Sequence, residues 1–412
     1  MSLSHSWKCE TLCGSLLLGW TAATGLAQGR PGPAPGGPRP EPQLPVAALP
    51  GLTPAERAEF GAGRSEFVLR QGRDQGLGPV FNARSCVECH RSGGVGGAGT
   101  SLLEHRVARI GAEIGGAYSD LAELGGPVIQ RRSLREVDPT CPVLPERIPS
   151  EARFVSFRYT TPLFGAGLME AIPESQILSR EDPSDNNRDG ISGRAHRVFN
   201  PESSTVEIGR FGWKAQTPSL HLFAGDAYLN ELGVTSPSFP EENRPQGGPI
   251  PEGVDTAGDP EDSGVETDQL TAFMRLLAPP PAVRADRDTV EGERLFVASG
   301  CASCHTPRMT TGAHSITALS AKDVGLFSDL LLHDMGPRLA DGIRQGDATG
   351  SEFRTAPLWG LMRRPFWLHD GRARSVEGAI LAHGGEAEGS RSSYSRLDLN
   401  RRRRLLAYLS KL

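Results

Sequence analysis

A mainly α protein, built from two small helical units with long loops and a small irregular, β-containing insertion between them, is what the sequence predicts. Three observations lead there. The pentapeptide Cys-x-x-Cys-His occurs twice, at residues 86–90 and 301–305. A helix-compatible segment leads toward each copy. The 412 residues include 50 glycines and 33 prolines, so helices should be short and joined by irregular chain.

The pentapeptide is what covalent attachment of a c-type haem requires: two cysteines form thioethers to the vinyl groups, and the adjacent histidine turns back onto the iron. Cys86, Cys89 and His90 are therefore expected to hold one haem through a His90–iron bond, and Cys301, Cys304 and His305 a second. Two covalently bound c-type haems, in two cytochrome c-like domains, give the fold class its content. Zinc is disfavoured because both cysteine pairs end in an adjacent histidine.

In chain order, residues 1–27 read as a secretory signal. A modest apolar run, Leu16 to Leu26, follows Lys8 and ends in small residues, and it is too short to cross a bilayer. Export to the periplasm is the expectation, with no transmembrane segment in the mature chain. Residues 28–50, rich in proline, glycine and alanine, read as a tether.

A first haem domain is expected over 51–150. It opens on Thr53-Pro54-Ala55-Glu56, an N-cap with proline at the first helical position, and contains helices over 55–71 and 101–110. The middle insertion, 151–280, carries short β-prone pieces, then an acidic, proline-rich surface stretch over 235–268 and a helix over 268–277. Within it, Asp185, Asn187 and Asp189 with Gly190 and the Ile191 carbonyl follow the first half of an EF-hand loop, which makes calcium a candidate cofactor. His196 stands where that loop would place its bidentate glutamate, so a plain Asx-rich turn competes with the ion. The second haem domain, 281–412, begins with a helix over 288–298 and ends with one whose apolar face is Leu405, Leu406, Tyr408 and Leu409 and whose solvated face is Arg401 to Arg404. A formal charge of -5 gives no footprint for nucleic acid.

Further segments carry a resemblance. Leu331-Leu332-His333-Asp334-Met335-Gly336, Phe353-Arg354-Thr355-Ala356-Pro357-Leu358-Trp359-Gly360, Leu368-His369-Asp370-Gly371-Arg372-Ala373 and Ala379-Ile380-Leu381-Ala382-His383-Gly384-Gly385-Glu386 resemble the bacterial di-haem oxidoreductases described as peroxidases or thiol oxidoreductases. Phe164 to Leu168 and Gly209 to Ala215 look like that family too. More distantly, the chain is similar to di-haem cytochrome c peroxidases and to di-haem enzymes that oxidise residues of partner proteins.

The resemblance implies an exported di-haem oxidoreductase that reduces a peroxide or depends on one. One haem passes electrons and the other activates the oxidant. Peroxide or another small oxidant, a small donor such as a c-type cytochrome or copper protein, and a protein substrate are the partners it suggests. The alternative is a non-enzymatic periplasmic carrier or redox sensor with both irons saturated.

Spacing against the peroxidase relatives makes His383 the candidate distal ligand of the second iron, where those relatives place methionine, with Met335 its rival. His105 follows His90 at about the interval of their removable distal histidine. Glu104 and Glu113 are candidates to move the peroxide proton. His333 and His369 are expected to support the site through hydrogen bonds, and His369 also counts with Trp359 among the candidate catalytic residues. Arg354 and Arg372 are the expected propionate partners.

Overall fold

Two crossing helix pairs, separated by much of the sequence, organise the molecule. The computed structural model describes residues 46–281 and 286–412. The expected signal and most of the expected tether lie outside the described residues.

The first helix, Pro54–Val68, starts as its sequence dictates: the Thr53 hydroxyl accepts from the Glu56 amide at 3.2 Å, and the Glu56 carboxylate accepts from the Thr53 amide at 2.7 Å. Its buried face, Phe60, Gly63 and Phe67, meets the helix Val265–Leu276, with Phe67 and Phe273 ring centroids 4.7 Å apart. Gly63 permits the crossing, since a Cβ there would stand 2.0 Å from the Gln269 carbonyl oxygen. Asp262 starts the second helix by accepting from the amides of Gly264, Glu266 and Thr267. That aspartate is 1% exposed, so the end of the acidic stretch is structural and not a surface excursion.

The second pair repeats the device. Asp286 caps Arg287–Ala298, Asp398 caps Leu399–Leu409, and the two helices cross at Gly292, where a Cβ would stand 2.4 Å from both the Arg404 carbonyl oxygen and the Tyr408 Cβ. Leu405, Tyr408 and Leu409 are buried there, while Arg401, Arg403 and Arg404 face solvent.

The mainly α expectation is overturned: the described residues are 31% helix and 15% strand, with several small sheets. The largest sheet centres on Arg106–Ile114, which pairs antiparallel with Ala117–Ser119, Val128–Ile129 and Phe154–Tyr159. This strand begins inside the stretch expected to be a helix over 101–110. The two-residue period of buried Ala108, Ile110 and Ala112, with pairing to a strand far along the chain, decides the local conformation. Two further antiparallel pairs, Arg197–Asn200 with Thr205–Ile208 and Leu332–Asp334 with Glu352–Arg354, add to the β content.

Among the described residues, no helix is long and apolar enough to cross a membrane.

Candidate functional site

The two pentapeptides fold alike. Cys86–Cys89 is one short helical turn and Cys301–Ser303 a tighter one; the amide of His90 donates to the Cys86 carbonyl, and that of His305 to the Cys301 carbonyl, each at 3.0 Å. The turn places both cysteines and the following imidazole around one cavity in each case. All four thiols are free, and burial pushes Cys86 and Cys89 up to about 12 and Cys301 up to about 11.

Each imidazole is fixed through its inner nitrogen, His90 Nδ1 donating to the Gly97 carbonyl and His305 Nδ1 to the Phe327 carbonyl, both at 3.0 Å. The His90 ring also meets the Thr161 backbone. Burial holds both rings down to about 4, so they stay neutral, as an iron ligand must be. Two neutral thiols and one oriented neutral imidazole, facing a mainly apolar hollow, are the donor set a c-type haem takes.

The second cavity fits that group in two further respects. His383, at the end of the helix Val376–Ala382, lines it together with His305, and its Nδ1 donates to the Ala379 carbonyl at 2.7 Å. Met335 lines the same hollow, so both candidate ligands reach it.

Arg354 and Arg364, 7% and 9% exposed, also line this cavity. Neither has a carboxylate within ion-pair distance. The Arg354 guanidinium donates to the carbonyls of Gly212 and Thr355, and Arg364 Nε has no partner at all. Burial pulls both down to about 10, which still leaves them cationic at neutral pH. Buried cations without an anionic partner are costly; two of them lining one cavity fit the two propionates of a haem. Arg372, the other expected propionate partner, instead lies outside the lining and pairs with Asp370 at 2.6 Å.

The first cavity differs. His90 is the single imidazole among its described lining residues. Beside Arg109 and Arg158 it is lined by two acids, Asp226 and Glu231, carried where the helix Leu220–Ala227 runs into a wider π turn, Tyr228–Leu232. Burial raises the Asp226 carboxyl and pushes Glu231 up to about 7. Glu231 is held in place by the amides of Asn82 and Ala83, which donate to its carbonyl at 2.8 and 3.0 Å.

The expected acid–base residues lie elsewhere. Glu104 is exposed, Glu113 is exposed on the sheet opposite Tyr118, and neither lines a cavity. His105 is buried but off the lining as well. Its Nδ1 accepts from the amides of Thr100 and Ser101 at 2.9 and 3.3 Å, which puts the ring proton on Nε2 and leaves no lone pair to offer an iron.

Between the cavities stands Trp213, which lines both and donates from Nε1 to the Tyr159 carbonyl at 2.9 Å. Trp359 packs in the main core against Gly165 and lines neither. His369 lines the second cavity, stacked on Phe353 at 4.3 Å and set edge-on to Trp213 at 6.4 Å. His333 lines it too, buried between two carboxylates.

The Asp185–Ile191 loop is exposed, and its acidic side chains accept from backbone amides. Asp185 takes Gly190 N at 3.2 Å and Asp189 takes Ile191 N at 2.9 Å. The Asx-turn half of that expectation is what this geometry displays, and Ile191 reaches the second cavity.

Sequence reasoning missed Asp226, Glu231 and Arg364. Glu231 offered only a weak signal, an acid in an otherwise apolar Tyr-Leu-Asn-Glu-Leu run; Arg364 offered none beside its neighbour Arg363.

Comparison with known proteins gives one family. A profile described as "Di-haem oxidoreductase, putative peroxidase" matches residues 144–412. No curated protein matches. Among solved structures, hydrazine synthase of Kuenenia stuttgartiensis is similar at a TM-score of 0.41 and 15% identity, covering 92% of this chain and 100% of that one. A MauG-like protein associated with microbial copper homeostasis is similar at a TM-score of 0.40 and 14% identity, covering 91% and 94%.

Proposed function

The chain belongs to the family of di-haem oxidoreductases, and from that premise we propose that it is an exported enzyme with one covalently attached c-type haem in each cavity, acting on a peroxide. One observation carries this reading: the two cavities share a tryptophan yet are furnished differently, the first with His90 as the single imidazole of its described lining and the raised carboxyls of Asp226 and Glu231 beside Arg109 and Arg158, the second with four imidazoles and the buried guanidiniums of Arg354 and Arg364.

A bound haem supplies one-electron exchange, and an iron with an open position can accept an oxidant. Reducing a peroxide to two water-level oxygens consumes two electrons and two protons, which is the need that two irons and nearby acids answer together. Cys86, Cys89 and His90 hold one group, and Cys301, Cys304 and His305 the other. His383 would offer a second imidazole to the group held by His305, a ligand set suited to electron storage, and Arg354 with Arg364 would neutralise its propionates.

In the first cavity, Glu231 takes the proton from an entering peroxide and returns it to the departing oxygen. A carboxyl poised near 7 is matched to both tasks at neutral pH. Asp226 shares the same desolvated wall and supplies a second acidic group. Trp213 fills the space between the sites and excludes water from the electron path.

The test uses protein made in a cell competent for cytochrome maturation. Mass spectrometry should give two haem additions, and the resting spectrum one low-spin and one high-spin component. Mixing with hydrogen peroxide should change the high-spin component within the turnover time, and a reduced small cytochrome or copper protein should then be consumed. Two low-spin haems that stay inert to peroxide after one-electron reduction would make the chain a carrier instead.

A further inference from the structure

On the wall of the second cavity, a buried ring ties together two stretches of chain that are far apart in sequence. His333 Nδ1 lies 2.7 Å from Glu386 Oε2, and its Nε2 lies 2.9 Å from Asp329 Oδ2. Both ring nitrogens therefore donate, and the group is an imidazolium between two carboxylates, 4% exposed. Gly193 closes one face of the ring: a Cβ there would stand 2.5 Å from His333 Cε1. Cys304 Sγ is 3.6 Å from Nδ1.

The two carboxylates belong to different arms. Asp329 is fastened to the pentapeptide, its amide donating to the Cys304 carbonyl at 3.0 Å, two residues from the Phe327 carbonyl that orients His305. Glu386 sits three residues beyond His383. Besides His333, it accepts from the Ser192 hydroxyl at 2.9 Å, the Ser192 amide at 3.1 Å and the Asp334 amide at 3.0 Å. The glycines before it leave no slack, because a Cβ on Gly385 would stand 2.2 Å from the Asp334 carbonyl oxygen.

We propose that His333 is a positioning residue, the tie that fixes the segment carrying His383 against the pentapeptide and so keeps the second iron closed to outside ligands. The inference rests on the reading that His383 provides the opposite ligand there. Nothing in it needs His333 to touch the iron. A thioether-bound Cys304 still packs against the ring, so the tie survives haem attachment. Cutting it frees the Gly384–Ala387 stretch from the Asp329 side while leaving both imidazole ligands in the sequence.

The experiment compares His333→Gln and Glu386→Gln with the wild-type holoprotein, using electron paramagnetic resonance of the ferric state and carbon monoxide binding to the fully reduced state. The wild type should carry a bis-imidazole low-spin signal and bind one carbon monoxide per chain. Each variant should lose part of that signal and bind up to two, while its haem mass remains at two additions. Glu386→Gln retains an oxygen to accept from Ser192 and Asp334, so it reports on the tie even if His333→Gln does not fold. Variants with the wild-type signal and one bound carbon monoxide would overturn the tie alone. A wild type lacking any bis-imidazole signal would remove the reading on which it rests as well.

Discussion

The cavity around His90 and the cavity around His305 begin from the same five-residue motif and end in different surroundings. In the first, the carboxyls of Asp226 and Glu231, both raised by burial, line the hollow beside Arg109 and Arg158, and His90 is the one imidazole of the described lining. In the second, the buried guanidiniums of Arg354 and Arg364 line the hollow with four imidazoles, His305, His333, His369 and His383, and the Glu386 carboxylate. The lesson is that attachment chemistry is local, whereas reactivity is assembled from residues far away in the sequence. Carboxyls raised by burial suit proton movement; buried guanidiniums without carboxylate partners suit an anionic group.

The largest expected effect breaks the comparison by removing one side of it. Cys86→Ser with Cys89→Ser should reduce the covalent haem count from two to one by mass and abolish peroxide turnover, while the low-spin spectrum assigned to the second site persists. Retention of both haems would show that the pentapeptides do not attach them as argued.

Glu231→Gln comes next, with a loss of about 10²–10⁴-fold in peroxide turnover, the range general acid–base groups supply, and no change in the second site's spectrum. Its pH dependence has a definite sign. The ionised carboxylate is the proton acceptor, so kcat/KM of the wild type should fall as pH drops through about 7, and that limb should vanish in the variant. Stability runs the other way. The folded state holds this proton across the interval from the usual carboxylate range up to about 7, where the unfolded chain has released it, so the contribution is lost as pH rises through that interval.

His383→Met sharpens the contrast from the other side. It should raise the midpoint potential of the second haem, since a His/Met pair favours the reduced iron more than two imidazoles do, and leave the initial peroxide reaction of the first haem intact. Redox titration followed by optical spectra measures it. The smallest effect separates two tryptophans: Trp213→Phe should slow electron equilibration between the haems in flash-reduction measurements, while Trp359→Phe, which lines neither cavity, should leave that rate alone and lower thermal stability only.

That the two pentapeptides each line a cavity, that capped helices flank them and that His383 lines the second hollow is in keeping with the sequence, because each is written locally: a motif, a cap followed by an apolar period, or a spacing shared with relatives. Glu231 and Arg364 were not legible in it. The first is aimed by a π turn at the end of a helix that nothing in the local pattern foretells, and the second becomes a site residue only because its carboxylate partner is missing. The strand Arg106–Ile114 was misjudged for a related reason, since its pairing with Phe154–Tyr159 outweighs a local run compatible with a helix. His105 had the right interval but the wrong hydrogen bonds, and only the amides of Thr100 and Ser101 reveal it.

The glycine crossings described for the two helix pairs bear on the order of events during folding. In each pair one helix precedes its pentapeptide and the other lies far downstream, Val265–Leu276 for the first and Leu399–Leu409 for the second. Neither hollow gains its last wall until that late helix has left the ribosome, and contacts of such long sequence separation form slowly. On the proposed reading, haem attachment at each pentapeptide would therefore precede the packing of the returning helix across its glycine.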